Sequence, residues 1–186
     1  MNNKYEDMVR QAVLIARLGS PEAALAMLEQ AQRQAPERSE AFHNAGVLQD
    51  ALGRPEDALA SWAEAQERAP DHYEAHYNRA FVLGRQGRQA EAVAAWRQMS
   101  RRWTEDFGVW HNLGCLLRDG GQLEDALDAF ERAASVDAGR FELWFNRGKL
   151  LEKMERREEA VAAYRRTVAL NEGFGPAVEA LKGLGG

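Results

Sequence analysis

A small residue recurs every 34 positions along this chain, and this spacing constrains the possible folds more than any other feature. The five positions are Ala24, Ala58, Ala92, Ala126 and Ala160. Self-similarity at a fixed period of about 20–50 residues indicates an array of stacked structural units. We therefore divide the chain into repeats 1 to 5, which span residues 5–38, 39–72, 73–106, 107–140 and 141–174, followed by a remnant at 175–186.

Other columns of the repeat follow the same period, when each place is counted from the first residue of its repeat. Place 8 is small: Ala12, Gly46, Ala80, Gly114 and Gly148. Place 24 is large: Leu28, Trp62, Trp96, Phe130 and Tyr164. A small residue lets two backbones cross closely, and each large side chain that fills the seam contributes roughly 1.5–3 kcal/mol on burial. The columns therefore predict two closely crossing elements in every repeat.

Each repeat is predicted to contain two helices. Apolar residues recur at helical spacing on both sides of place 15, as Leu113 and Leu117 do before it and Phe130 does after it. Place 15 itself is Gly19, Gly53, Gly87 and Gly121, and departs from glycine only at Glu155. Glycine ends a helix readily because it can adopt the left-handed conformation. Helices this short are marginal alone, so stacking must stabilise them.

Several residues are predicted to begin helices. Pro21 is suited to the first helical position, where its missing N–H costs nothing, and Ser20 before it is in position to cap that helix. Asp71 and Glu74 form an aspartate variant of the capping box, which predicts the start of repeat 3.

The pattern resembles the tetratricopeptide repeat (TPR) family over residues 5–174. The fourth repeat carries the family's residues most completely, at Trp110, Leu113, Gly114, Leu117, Gly121, Ala126, Phe130 and Ala133. Pro36 and Pro70 match the closing proline. The departures are Thr104, Ala138 and Glu172 at that proline, Arg79 and Arg147 at a usual leucine, and Glu155 at the turn glycine. The resemblance implies an all-α, right-handed superhelical α-solenoid of five helix-turn-helix TPR units at 5–174, with a C-terminal capping helix and tail at 175–186.

Composition excludes several classes of function. The net charge of −5 argues against nucleic acid as the main partner. No stretch is long and apolar enough to predict a membrane span. Charged residues such as Glu6, Asp7 and Arg10 interrupt residues 1–20, so we do not expect a signal peptide. The single cysteine, Cys115, excludes an internal disulfide framework and favours a reducing, cytoplasmic location.

Motifs for catalysis, metals or cofactors are missing from the sequence. It contains no phosphate-binding loop, dinucleotide glycine motif or nucleophile elbow, and His72 and His76 lack the acidic partner of a metalloprotease helix. His111 and Cys115 share a helix face with Arg118, and a nearby cation can lower the pKa of a thiol. A nucleophilic pair would also need an oxyanion site and an orienting group. We therefore predict a structural or ligand-contacting cysteine, no metal, no cofactor and no enzyme.

In the TPR family, the first helix of each repeat lines a concave groove. Place 6 faces that groove and is Arg10, Asn44, Asn78, Asn112 and Asn146. Each asparagine amide offers donors and an acceptor, so four in succession could hold the main chain of an extended peptide. The alternative is that asparagine is only a packing feature of this column.

Two further groove columns contain apolar and aromatic residues. Place 5 is Val9, His43, Tyr77, His111 and Phe145, and place 9 is Val13, Val47, Phe81, Cys115 and Lys149. We therefore predict a peptide-binding groove at Asn44, Asn78, Asn112, Asn146, His43, Tyr77, Phe81, His111 and Phe145. Tyr77 and Phe145 could instead pack partly against a neighbouring second helix. Place 2 is Glu6, Glu40, Glu74, Gly108 and Glu142. These glutamates argue against the TPR modules that clamp the terminal carboxylate of heat-shock chaperones.

The sequence favours a non-enzymatic adaptor or scaffold that binds a peptide or helix of a partner protein in this groove. The alternative is a self-assembling structural subunit of a multiprotein complex that uses its ends and convex face. The remnant bears on this choice, because Ala177, Val178, Leu181 and Leu184 make it apolar. Either this helix is short enough to show little apolar surface, which we favour, or it docks on a second copy or another protein.

Overall fold

The computed structural model describes residues 2–185, and these residues form eleven α-helices without a strand. The helices are α1 (Asn2–Arg17), α2 (Pro21–Gln34), α3 (Glu40–Ala51), α4 (Pro55–Arg68), α5 (Tyr73–Arg85), α6 (Gln89–Arg102), α7 (Phe107–Asp119), α8 (Leu123–Val136), α9 (Phe141–Lys153), α10 (Arg157–Leu170) and α11 (Gly175–Gly183). The predicted all-α fold is confirmed, and two helices per repeat are consistent with the five-repeat frame. None of the described helices is both long and apolar enough to cross a bilayer.

The turn at place 15 adopts the left-handed conformation in every repeat. The φ angles are 88° at Gly19, 73° at Gly53, 73° at Gly87 and 77° at Gly121. Glu155, which replaces glycine in repeat 5, has a φ of 59° and therefore adopts the same conformation. The position demands this conformation whichever residue occupies it, since the two flanking helices must reverse direction there.

The glycines at place 8 explain how closely the two helices of a hairpin cross. A Cβ atom added to Gly114 would lie 2.7 Å from Cε1 of Phe130, which is closer than real Cβ contacts allow. The same overlap would occur between Gly46 and Trp62 and between Gly148 and Tyr164. Places 8 and 24 therefore contact each other directly within these hairpins.

A recurring hydrogen bond joins consecutive hairpins. The side chain at place 4 donates to the carbonyl oxygen at place 32 of the preceding repeat. Trp110 Nε1 donates to Thr104 O at 2.8 Å, and Trp144 Nε1 donates to Ala138 O at 2.8 Å. Thr104 and Ala138, which stand at the usual closing proline, therefore both use their carbonyl oxygens as acceptors.

Other donors bond the corresponding carbonyl oxygen at the junctions between repeats 1 and 2 and between repeats 2 and 3. His76 at place 4 lies with Nε2 3.0 Å from the carbonyl oxygen of Pro70. Phe42 occupies place 4 of repeat 2 and has no donor. There the guanidinium of Arg68 stacks 3.9 Å from the Phe42 ring centroid, and its Nε donates to the carbonyl of Pro36.

The structure corrects two predicted helix caps. The Ser20 side chain makes no capping hydrogen bond, so Pro21 alone defines the start of α2. The N-cap residue of α5 is His72 rather than Asp71, so the predicted capping box is wrong. A side-chain cap is present at α7, where the Asp106 carboxylate accepts from Val109 N at 2.9 Å.

The contacts divide the chain into two compact bodies, Met1–Ala95 and Trp96–Gly186. In the first body, α1 contacts α3 and α3 contacts α5, so these three first helices form one surface, which we call the N-terminal wall. In the second body, α7 contacts α9, and we call these two helices the C-terminal wall. Both walls consist of the helices that the family resemblance assigns to the groove.

The C-terminal helix α11 packs on the last hairpin. Ala177 is fully buried in a core cluster with Leu151 and Tyr164, and Leu181 and Leu184 pack against this cluster. Among the described residues, the exposed large apolar side chains are Leu14, Leu18, Val47 and Phe81, and none of these belongs to α11. This packing matches the alternative in which the short helix shows little apolar surface.

Candidate functional site

The N-terminal wall exposes two large apolar side chains at place 9. Val47 on α3 is 40% exposed, and Phe81 on α5 is 52% exposed. They line an open cleft of about 130 Å³, which we call the α3–α5 cleft. Its lining residues are Val47, Asp50, Trp62, Asn78, Phe81 and Val82. An exposed apolar pair in a cleft is suited to hold a side chain of a partner.

The asparagines of the predicted column differ from repeat to repeat in how many hydrogen bonds their side-chain amides make within the protein. The Asn78 side chain lies in the α3–α5 cleft and makes no hydrogen bond with any described residue. Asn44 Nδ2 donates to the Glu40 carbonyl one helical turn earlier, at 2.8 Å. The Asn44 side-chain oxygen has no partner in the described part of the chain. Both side chains are half-buried and therefore reachable from the wall.

Asn146, in contrast, is held by its own neighbours on the C-terminal wall. Its Nδ2 donates to the Glu142 carbonyl at 3.0 Å and lies 3.0 Å from His111 Nε2, while its Oδ1 accepts from Arg118 at 2.7 Å. Asn112 is half-buried on α7. A ligand at Asn146 would have to exchange these bonds, whereas a ligand at Asn78 would not.

The two predicted groove histidines pack within their walls. The His43 ring lies 4.7 Å from the His72 ring, between centroids, and burial lowers the pKa of His43 to about 4. The His43 Nδ1 atom is buried and has no hydrogen-bond partner among the described residues. The His111 ring stacks on Phe107 with 5.4 Å between centroids, and burial lowers its pKa as well. Both imidazoles are therefore neutral near pH 7.

The predicted groove aromatics have different surroundings. Tyr77 is half-buried and lies 5.8 Å from Tyr73 between ring centroids. Phe145 is half-buried, because it packs edge-on against Phe174 at 4.9 Å and tilted against Tyr164 at 5.8 Å. The packing alternative therefore accounts for part of the Phe145 surface, and Phe81 keeps the larger open face.

The His111–Cys115 pair does not form an activated thiol. Cys115 Sγ lies 3.9 Å from His111 Nε2, but burial raises the pKa of the Cys115 thiol to about 11. Arg118 lowers this pKa only secondarily. The Arg118 guanidinium is itself bonded to Asp119 at 2.9 Å. Within residues 2–185, no three His, Cys, Asp or Glu side chains lie close enough together to hold a metal ion.

The charged pair at the edge of the α3–α5 cleft is not among the predicted site residues. Asp50 lines the cleft and accepts a hydrogen bond from Arg85 of the next repeat. These residues occupy places 12 and 13 of the repeat, on the same first helices as the predicted groove residues. Their positions on the first helices can be found from the repeat register. They were not predicted as site residues because neither is apolar or an asparagine, the residue types that located the groove.

The tetratricopeptide repeat family matches residues 10–58, 43–104 and 111–173. Comparison with curated protein sequences gives no significant match. The solved structures share the fold at low sequence identity.

Three of these structures illustrate the similarity. MamA from Desulfovibrio magneticus is 20% identical with a TM-score of 0.83, covering 94% of this chain and 99% of that chain. YrrB, described as a TPR protein with an unusual peptide-binding site, is 20% identical with a TM-score of 0.81, covering 94% and 90%. A tetratricopeptide repeat protein from Parabacteroides merdae is 17% identical with a TM-score of 0.87, covering 98% and 73%. Since the family matches span most of its length, the chain belongs to the tetratricopeptide repeat family.

Proposed function

We propose that this protein is a non-enzymatic adaptor that binds a peptide segment of a partner protein on its N-terminal wall. TPR proteins are protein-interaction modules, and this class of function follows from family membership. The finer proposal concerns where and how the segment binds. YrrB, which has the same fold, is described as having a peptide-binding site. That similarity supports a peptide ligand without identifying it.

The observation that carries the proposal is the combination found in the α3–α5 cleft. Phe81 and Val47 offer exposed apolar surface, and the amide of Asn78 beside them is unengaged in the described structure. An apolar side chain of the peptide would pack on Phe81 and Val47. A main-chain amide of the same peptide would then pair with Asn78, which offers both donor and acceptor groups.

The magnitude of these contacts sets how long the segment must be. Covering the exposed half of Phe81 contributes about 1 kcal/mol, which is half of the range for a fully buried large side chain. A micromolar complex requires about 8 kcal/mol. The segment must therefore extend beyond one cleft along the wall, and Asn44 on α3 is the adjoining member of the asparagine column.

The predicted groove residues on the C-terminal wall are proposed to contribute less to binding. Asn112, Asn146, His111 and Phe145 lie on the C-terminal wall. A peptide that reaches Asn146 must replace its bonds to Arg118 and His111. We therefore propose that binding depends first on the N-terminal wall and that substitutions there have the larger effect.

The test is an affinity measurement on a partner captured from native lysate and reduced to its binding segment. Phe81→Ala and Asn78→Ala should each weaken binding by about fivefold, equivalent to about 1 kcal/mol. Leu18→Ala is a matched control, because Leu18 is 76% exposed but lies outside the cleft. Circular dichroism should show unchanged helicity in all three variants. Equal affinities for Phe81→Ala, Leu18→Ala and the parent protein would refute the proposed site.

One observation favours self-assembly as a second candidate function. Leu14 on α1 and Leu18 in the turn directly after it are 56% and 76% exposed and lie four residues apart. Two copies could cover these side chains by packing α1 against α1. Sedimentation analysis between about 0.1 and 100 μM should then show association that Leu14→Glu abolishes. A constant monomer mass over this range would remove the candidate.

A further inference from the structure

We propose that the α3–α5 cleft selects a basic side chain, lysine or arginine, of the bound peptide. This inference rests on the proposed function, because it specifies the ligand chemistry of the same cleft. It follows from the kinds of residues that line the cleft, from the hydrogen bonds of Asp50 and from the net charge of repeats 2 and 3, which form the cleft.

The lining of the cleft matches a side chain with an apolar stem and a cationic end. Val47 and Phe81 supply exposed aliphatic and aromatic surface, and Asp50 is the charged residue among the lining side chains. Lysine and arginine bury their methylene stems along apolar surface while keeping the charged group in a polar setting. At about 130 Å³, the cleft is sized for a single side chain. Cofactor-sized ligands occupy roughly 300–1,000 Å³.

Asp50 has capacity for a second cation. It accepts a hydrogen bond from Arg85 through Oδ1, and its other oxygen, Oδ2, has no partner in the described part of the chain. The Arg85 side chain is 51% exposed, so this ion pair is open to solvent and only weakly stabilising. A ligand cation can therefore share the carboxylate or displace Arg85 from it.

The surroundings of the cleft favour a basic segment over an acidic one. Repeats 2 and 3, which both contribute residues to the cleft, together hold eight arginines against eleven acidic residues. The side chains of Glu40 and Glu74, at place 2 of α3 and α5, are 46% and 67% exposed. Arg38 pairs with Glu40 at 2.9 Å, whereas Glu74 lies 3.8 Å from His72 Nε2. Like charges across an interface disfavour acidic partners.

Three capped amino acids test the inference without knowledge of the natural partner. The probes are the N-acetyl, N-methylamide forms of lysine, norleucine and glutamate, titrated into the full chain. Chemical shifts of the Val47 methyl groups and the Asn78 side-chain amide report binding in the cleft. We expect lysine to bind about threefold to tenfold more tightly than norleucine, because its ammonium group makes a charge-assisted hydrogen bond to Asp50. Glutamate should bind most weakly.

Three variants separate the charge from the shape of the cleft. Asp50→Asn keeps the shape and should remove the preference for lysine. Asp57→Asn makes the same change of charge on α4, outside the cleft lining, and should preserve the preference. Arg85→Gln frees Asp50 and should strengthen lysine binding.

The outcomes distinguish this inference from the proposed function. Equal binding of lysine and norleucine overturns the basic preference and leaves an apolar peptide cleft in place. A lysine preference that survives Asp50→Asn also overturns it. If no probe shifts the Val47 or Asn78 signals, the inference fails, and an unchanged partner affinity for Phe81→Ala would show that the proposed function fails with it.

Discussion

Replacing Glu155 with glycine should stabilise the C-terminal body. Glu155 has a φ of 59° and is exposed, and its side chain makes no hydrogen bond or ion pair with the described residues. A left-handed conformation costs a non-glycine residue roughly 1–2 kcal/mol. Glycine also gives the unfolded chain more conformational freedom, and this lowers the free energy of unfolding by about 0.5–1 kcal/mol. The expected net stabilisation is therefore about 0.5–1 kcal/mol.

This stabilisation is measurable in the melting temperature and in local exchange rates. For a chain of this size, 1 kcal/mol shifts Tm by about 2–4 °C, so we expect a rise of about 1–4 °C. Because stacked repeats need not unfold in one step, amide hydrogen exchange in α9 and α10 should accompany urea denaturation. Slower exchange should be concentrated in these two helices, since they flank the turn.

Two control variants isolate the backbone contribution. Glu155→Ala keeps the left-handed residue and removes the carboxylate, so its stability should match that of the parent protein. Gly121→Ala introduces the strain elsewhere, and its Cβ would meet no atom within 4 Å, so it should lose about 1 kcal/mol from backbone conformation alone. If Glu155→Ala stabilises as much as Glu155→Gly, or if Gly121→Ala is neutral, the reasoning is wrong.

Three further predictions concern packing, pH and thiol reactivity. Gly114→Ala should destabilise the protein by about 1–3 kcal/mol in urea denaturation, because its Cβ would overlap the Phe130 ring. The folded-state pKa of His43, about 4, lies below its ordinary value of 6.5. Its contribution to stability is therefore complete above pH 6.5 and is lost as the pH falls toward 4. Urea midpoints at pH 7.5, 6 and 5 should fall less steeply for His43→Gln. Cys115 should react with a disulfide reagent at pH 7.5 more slowly than free cysteine, since burial raises its pKa to about 11.

The fold was predictable because its determinants are local and repeat in register. The small column at place 8 and the large column at place 24 are visible in the sequence, and the structure shows that Gly114 and Phe130 contact each other. The reversal at place 15 is visible as glycine, and at Glu155 the flanking helices enforce it without glycine. The Ser20 cap was not predictable in this way, because a serine before a helix does not determine where its hydroxyl points.

The candidate site was predictable by position but not by the state of each side chain. The asparagine column locates Asn78 and Asn146 equally well, yet only the structure shows that Asn146 is bonded to Arg118 and His111. These partners come from another helix, and a single column contains no information about them. The exposure of Phe145 likewise depends on Phe174, which packs against it from the connection between α10 and α11.

The bond from place 4 to the preceding connection has a consequence for protein engineering. Tryptophan, histidine and, from a different helix, Arg68 all supply the donor, so the acceptor carbonyl is the invariant partner and the donor is exchangeable. A hairpin grafted from another array will pack more stably on this one if it brings a donor within reach of that carbonyl, since such a bond contributes about 0.5–1.5 kcal/mol. Compatibility at this contact is therefore a property of each junction between two hairpins rather than of each hairpin alone.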